Sequence, residues 1–361
     1  MREIMNRDLQ PLADSHPTLM SIATATADFI RSISIKPYKQ RHHPRELSMW
    51  ENLNSLHQVR CQIYREKSAG SRPTIVVAGF VPDATEVVEF QRPLLRRYGS
   101  IYYINYPRNG FNQQLFEAQL ADLIEELCLK GERPVLMGIS FGAGLVVDFL
   151  RHASEELHDR LRGVMLVSPV LCTADLIRPD NQRTGGVRML ESNLRKILQA
   201  DPENAEDLNR QLTRARRCFQ SLFEAGAENR KLTARHLTIR QRIFSVLEHT
   251  SNLGGYERVL ALRNFKEPDQ GRNTLFAGPT LIMLAEDEES ILVPSSPTLK
   301  TCSIHHALSR IFPNGRVCQV SSRDEGDRVP HASLIFHQHC YNPRMEIWFE
   351  KLHNQPLLAV V

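Results

Sequence analysis

Apolar positions along this chain fall into two rhythms. Short continuous apolar runs bounded by turn residues recur at Thr74–Ala78, Ile101–Ile104, Pro134–Met137, Gly163–Val167 and Thr280–Leu284, with a further run at Arg316–Val320. Runs of this length, rich in β-branched residues, predict strands buried on both faces. Ahead of them His57–Arg65 alternates, with Val59, Cys61 and Ile63 on one side and Arg60, Gln62 and Tyr64 on the other; this predicts a half-exposed strand, closed by a turn at Ala69-Gly70-Ser71. Between the runs the spacing becomes helical. Leu115–Leu129 carries apolar residues at 115, 116, 120, 123, 124 and 127, and Gly142–Ala153 reads as a second helix. Strands alternating with helices predict an α/β fold, a mostly parallel sheet with helices on both faces.

The alternation stops between Leu171 and Leu275. Amphipathic helical spacing replaces it, at Val187, Leu190, Leu194 and Ile197, and again at Leu208, Leu212, Ala215, Phe219 and Leu222. An insertion of this length is too long for a loop, and 171–275 is read as a helical cap or lid. The core is then 57–170 together with 276–361. Residues 1–56 form a polar N-terminal extension in which Leu19–Ile30 predicts a short helix.

Composition narrows the class of protein. Of 361 residues 42% are hydrophobic and 24% charged, which suits a folded globular chain and excludes whole-chain disorder. No apolar run is long enough to span a membrane, and the first residues lack the apolar stretch of a secretory signal. The net charge of +4 is too small and diffuse to suggest nucleic-acid binding. Seven scattered cysteines with no C-x-x-C pair read as reduced thiols, so a cytoplasmic protein is expected. His42 and His43 are adjacent but have no third ligand at useful spacing, and no cofactor motif occurs; neither metal nor cofactor is expected.

One stretch carries chemistry. Gly138-Ile139-Ser140-Phe141-Gly142 has the form G-x-S-x-G, ends an apolar run and opens a helix rich in small residues. A nucleophile elbow needs this pattern: the turn is so tight that positions two residues either side of the serine must lack a side chain. Ser140 is thus the candidate nucleophile, and the N–H of Phe141, at the helix start, the first candidate oxyanion donor. The second is the N–H of Phe80, after the run that closes at Ala78-Gly79. A serine needs a base, and among fourteen histidines His331 follows the last strand through a polar loop, with a helix expected from about Ala332 that would hold His337 and His339. The acid should follow Thr280–Leu284, where Glu286, Asp287, Glu288 and Glu289 are adjacent. Asp287 is preferred over Glu288, with Asp175 an alternative outside the run.

With these residues in order, the chain resembles the α/β-hydrolase superfamily over about 57–170 and 276–353. Tyr106-Pro107-Arg108-Asn109-Gly110-Phe111 is similar to the family's turn after its fourth strand, and His331-Ala332-Ser333-Leu334 to the loop that holds its histidine. The chain departs from the family pattern at Ala78-Gly79, where His-Gly is usual, at Ala285, where many members have glycine, and in an extra stretch before Val293-Pro294. The resemblance implies acyl transfer through an acyl-enzyme, with Ser140 as nucleophile, His331 as base and Asp287 or Glu288 as acid. It implies a small-molecule carboxylic ester or thioester as substrate. An acyltransferase or thioesterase using the same groups, or a catalytically silent binding protein on the same fold, are the alternatives. The 171–275 segment holds 18 Lys or Arg against 13 Asp or Glu, including Arg210, Arg214, Arg216 and Arg217 on one helix. That excess reads first as a solvated helix face, with attraction of an anionic substrate as the functional alternative.

Overall fold

The computed structural model describes residues 25–26, 29, 31–50, 56–179, 189–228, 230–268 and 274–354. The helix read over Leu19–Ile30 falls mostly outside these residues, as does Val187.

An eight-stranded sheet forms the centre, with β1 (Ile35–Pro37), β2 (Gln62–Ser71), β3 (Thr74–Val77), β4 (Gly99–Asn105), β5 (Val135–Ile139), β6 (Gly163–Val167), β7 (Thr280–Ala285) and β8 (Gly315–Val320). Their order is β1-β2-β4-β3-β5-β6-β7-β8. β1 and β2 pair antiparallel, as do β2 and β4; every later pairing is parallel. The labelled helices are α1 (Pro44–Trp50), α2 (Arg92–Tyr98), α3 (Gln113–Leu129), α4 (Phe141–His152), α5 (Met189–Gln199), α6 (Ala205–Ala227), α7 (Ala234–His249), α8 (Asn252–Ala261) and α9 (Gln338–Asn354).

The continuous apolar runs are explained by burial on two sides. In β3, Ile75 and Val77 belong to one core, with residues of α3 and α4, while Val76 belongs to a second core with residues of α2 and α9. A strand with water on one face would alternate; this one cannot. Helix ends follow local chemistry. The Asn112 side chain accepts from Leu115 N at the start of α3, and Ser251 from Gly254 N at the start of α8. Each satisfies one donor that the first helical turn leaves free.

Three expectations are corrected. Residues Leu56–Val59 form a helical turn, and β2 begins only at Gln62. β2 then runs through Ala69-Gly70-Ser71 with a register shift, so the turn falls at Arg72-Pro73; a Cβ on Gly70 would stand 2.1 Å from Tyr98 O, and this close crossing is what glycine serves there. The helix expected near Ala332 starts instead at Gln338, because Ala332 sits at φ 52°, a left-handed conformation that breaks a helix. His337 therefore precedes α9, and His339 lies in its first turn. Within 1–56, residues 31–50 pack on the core. β1 adds an edge to the sheet, and Arg45 on α1 forms a two-bond fork with Glu125 of α3, at 2.7 and 2.9 Å.

No strand interrupts 171–275 among the described residues; α5 to α8 fill it. The segment is tied down at its entry by Asp175, which is fully buried. Its carboxylate accepts from Leu171 N (2.8 Å), Cys172 N (3.1 Å), Ser296 Oγ (2.5 Å), Thr298 N (3.0 Å) and Thr298 Oγ1 (2.7 Å). Removing it strands several buried donors at once. Asp175→Ala should lower unfolding free energy by about 3 kcal/mol or more, measured by chemical denaturation.

Candidate active site

Ser140 lies between β5 and α4 at φ 52° and ψ −118°. A Cβ at Gly142 would stand 2.2 Å from Ala78 O and 2.5 Å from Val77 O; one at Gly138 would stand 2.7 Å from Ala143 Cα. These are backbone atoms that cannot rotate away, so both flanking glycines are required by space. The turn is stapled to the end of β6: Ser140 N donates to Val167 O at 2.9 Å, and Val170 N to Ser140 O at 3.2 Å. The serine stands at the carboxyl edge of the sheet, at the N-terminus of a helix.

The loops after β7 and β8 reach the same edge together. Asp287 and Pro330 pair as a parallel bridge, and Asp287 N donates to Val329 O at 2.9 Å. The bridge brings the carboxylate run beside His331. His331 N donates to Ser290 Oγ at 3.3 Å, and Ala332 N to the buried Ser168 Oγ at 2.9 Å. Ser168, at φ 45°, lies just past β6. These contacts fix the loop on both sides of the imidazole.

His331 Nε2 is 2.8 Å from Ser140 Oγ, and its Nδ1 is 2.5 Å from Glu288 Oε2. Both the imidazole and the Glu288 carboxyl are 5% exposed. Glu288 Oε1 accepts from Ala285 N at 2.6 Å, which locks the carboxylate's orientation. With Nδ1–H donated to the carboxylate, Nε2 is left to accept from the serine hydroxyl.

Of the two acids considered, it is Glu288 and not Asp287 whose carboxylate lies against His331. Asp287 spends its backbone on the bridge and accepts from Ser290 Oγ at 2.7 Å through its carbonyl. Glu288 opens a single 3₁₀ turn (288–290), and its longer side chain folds back to the imidazole; among the four carboxylates it alone is buried. Asp175 is engaged elsewhere, as described above. Ser168 was not singled out by sequence, and Tyr106 only as the start of a turn motif. The one signal for Ser168 was its place directly after a buried run.

Gly79 lies against Ser140: a Cβ there would be 3.4 Å from Ser140 Cβ and 3.8 Å from Oγ. Tyr106 Oη donates to Ala78 O at 2.6 Å and holds this turn from beneath. The Phe80 and Phe141 rings stack at 4.2 Å, with planes 14° apart.

Above Ser140 and His331 lies a cavity of about 360 Å³. Phe80, Leu194, Phe219, Phe223, Ile243 and Phe336 supply much of its wall, drawn from the core, the inserted helices and the histidine loop. Apart from His331, no ionisable side chain lines it among the described residues. The charged residues of α6 lie on its other faces. α6 turns an apolar face to the cavity, and its arginines point away. Arg210 pairs with Asp207, Arg216 donates to Thr250 O (2.7 Å) and Asn252 Oδ1 (3.0 Å), and Arg214 and Arg217 are exposed. Charge on an amphipathic helix says little about what its other face touches.

No protein-family model matches the sequence, and a search of curated proteins finds no significant match. Solved structures do match. An esterase from Exiguobacterium antarcticum superposes with TM-score 0.55 at 14% identity, covering 82% of this chain and 98% of its own. A thermophilic esterase from Thermogutta terrifontis gives 0.53 at 19%, covering 81% and 95%. A bacterial membrane phospholipase A gives 0.57 at 11%, covering 98% and 100%. At these identities the likeness is one of fold. No helix among the described residues is long and apolar enough to cross a membrane.

The elbow's packing sets a test. Gly142→Ala forces a methyl against two carbonyl oxygens, so it should cost about 1–3 kcal/mol of stability by overpacking, read by denaturant unfolding.

Proposed function

From the α/β-hydrolase fold that this chain has, we propose that the protein is a serine hydrolase of carboxylic esters, EC 3.1 in class. The observation that carries this is the line from Ser140 Oγ through His331 to Glu288. Ser140 attacks the acyl carbonyl while His331 Nε2 takes its proton, and Glu288 stabilises the imidazolium that results. The N–H groups of Phe80 and Phe141 donate hydrogen bonds to the developing oxyanion. As the tetrahedral intermediate collapses, His331 returns the proton to the departing alcohol, leaving an acyl-enzyme. Water, deprotonated by the same histidine, then releases the acid and frees Ser140.

The cavity supports an apolar acyl group on a neutral small-molecule ester. Its size is within the range that encloses a small ligand, and among the described residues no charged side chain other than His331 stands in its wall to offset a buried carboxylate. In this reading α5 to α8, within 171–275, are the cap that closes over the acyl group and excludes water. The seven cysteines are all free, which suits a cytoplasmic, reducing location.

A fluorophosphonate probe should label the wild type at Ser140 and fail to label Ser140→Ala; an unlabelled wild type would favour the silent binding protein. On p-nitrophenyl esters Ser140→Ala and His331→Ala should each lose at least about 10⁴-fold in kcat, and Glu288→Ala about 10²–10⁴-fold. Asp287→Ala should stay within about threefold of wild type. Product analysis with added alcohols and thiols separates hydrolysis from acyl transfer, hydrolysis being expected to dominate.

The cavity makes a second prediction. A Cβ at Gly226 would already stand 3.0 Å from the Phe336 ring, so Gly226→Phe should shift the optimum to shorter acyl chains. A hemisuccinate ester should be hydrolysed at least about tenfold less efficiently than a neutral ester of equal length, with little dependence on salt. Preference for the anionic ester would overturn this view of the cavity.

A further inference from the structure

A buried arginine stands behind the oxyanion turn. Arg258, on α8, is 3% exposed. Its Nη2 donates to Pro107 O at 2.5 Å and its Nη1 to Phe80 O at 3.4 Å, while its Nε has no hydrogen-bond partner. The guanidinium lies 5.3 Å from the centre of the Tyr106 ring, the same tyrosine that holds Ala78 O. Among the described residues no carboxylate forms an ion pair with it; the nearby Asp83 is taken by Arg108. A buried cation without a carboxylate is costly, and a fold that keeps one needs a reason.

We infer that Arg258 is a positioning residue for the oxyanion. It grips the carbonyl of Phe80, whose N–H is one of the two proposed donors, and its positive charge, which no carboxylate contacts directly among the described residues although Asp83 is near, favours the negative charge of the tetrahedral intermediate through that turn. The inference rests on the ester-hydrolase reading above. Three contacts define the turn: Tyr106 on Ala78 O, the Phe141 ring against the Phe80 ring, and Arg258 on Phe80 O. Two come from the sheet region, but the third comes from the inserted helices. α8 approaches closely because Gly254 lies against Arg108 O, which a Cβ would meet at 2.3 Å, and Ser251 N donates to the same oxygen at 2.9 Å. Seating of the insertion and competence of the oxyanion turn are thus one event. Burial pulls Arg258 down to about 10, so it stays charged at neutral pH. The groups facing it besides Asp83 and Arg108 are Tyr106 and Cys61, both pushed up by burial and neutral there.

The test compares full-length wild type, Arg258→Gln, Arg258→Lys and Ser140→Ala on a neutral p-nitrophenyl ester, with an alkyl boronic acid as the probe. The boronic acid takes up Ser140 Oγ to form a tetrahedral anion, while the hydroxyl proton passes to His331. Arg258→Gln should lower kcat about 30-fold with KM within about twofold, and weaken boronate binding by a similar factor. Arg258→Lys should recover most of this near pH 6. Its kcat relative to wild type at the same pH should then fall as pH rises, because a buried ammonium loses its proton well below the guanidinium's range while the guanidinium of the wild type stays charged. If Arg258→Gln does not fold, the Arg258→Lys profile alone decides. A Gln variant with wild-type kcat and boronate affinity, or a Lys variant whose profile tracks wild type, overturns the inference while Ser140-dependent activity leaves the hydrolase reading intact. Wild-type activity that survives Ser140→Ala overturns both.

Discussion

A serine at φ 52° is strained, by about 1–3 kcal/mol relative to an ordinary backbone conformation, and this chain places one where a parallel strand becomes a helix. The strain persists because its surroundings leave no alternative. Carbonyls of β3 and the residue after it press on Gly142, Ala143 presses on Gly138, and hydrogen bonds to Val167 and from Val170 tie the turn to the next strand. With the turn held, Oγ is lifted clear of the sheet and Phe141 opens the helix beside it. The imidazole, the Phe80 turn and the cavity are all built around that position.

Rigidity of the sheet is not enough to complete the site, because its other parts come from loops. The structure handles this by pairing loops with one another. The Asp287–Pro330 bridge makes the ends of two neighbouring strands act as one piece, and Ser168 reaches from a third strand to hold Ala332. Two more residues at positive φ, Ser168 and Ala332, lie along this seam, so local strain gathers where Ser140 and His331 face each other. The inserted helices dock on the same region. Arg235 of α7 holds Glu89 at 2.7 Å, Arg230 pairs with Asp327, and Ile243 packs beside Ile335 and Phe336. The inserted helices are thus held to the core by both charge and apolar contact.

The apolar runs and their alternation with helical spacing were enough to read a mostly parallel sheet, the helical insertion and the elbow, since each depends on neighbours in sequence. β1 escaped notice because three residues ending in proline carry no period. The expected helix at Ala332 failed because a single left-handed residue, held by a hydroxyl from another strand, stopped it. The arginine count on α6 left two readings open, a solvated face or a lure for anions, because composition does not record which face of a helix meets the cavity.

The acid run shows most plainly where local information ends. Four carboxylates in a row carry nearly the same chemistry, and only the bridge to Pro330 and the 3₁₀ turn that follows decide that Glu288 reaches the imidazole. By itself the sequence determined the strands from β3 onward and the glycine-flanked turn at Ser140, because backbone propensity and apolar period act over a few residues. Tertiary structure alone decided which carboxylate faces His331, what lines the cavity and where Arg258 points, because those depend on residues well beyond the reach of local propensity, 43 positions apart for Glu288 and His331 and 178 for Arg258 and Phe80, being brought within hydrogen-bond distance.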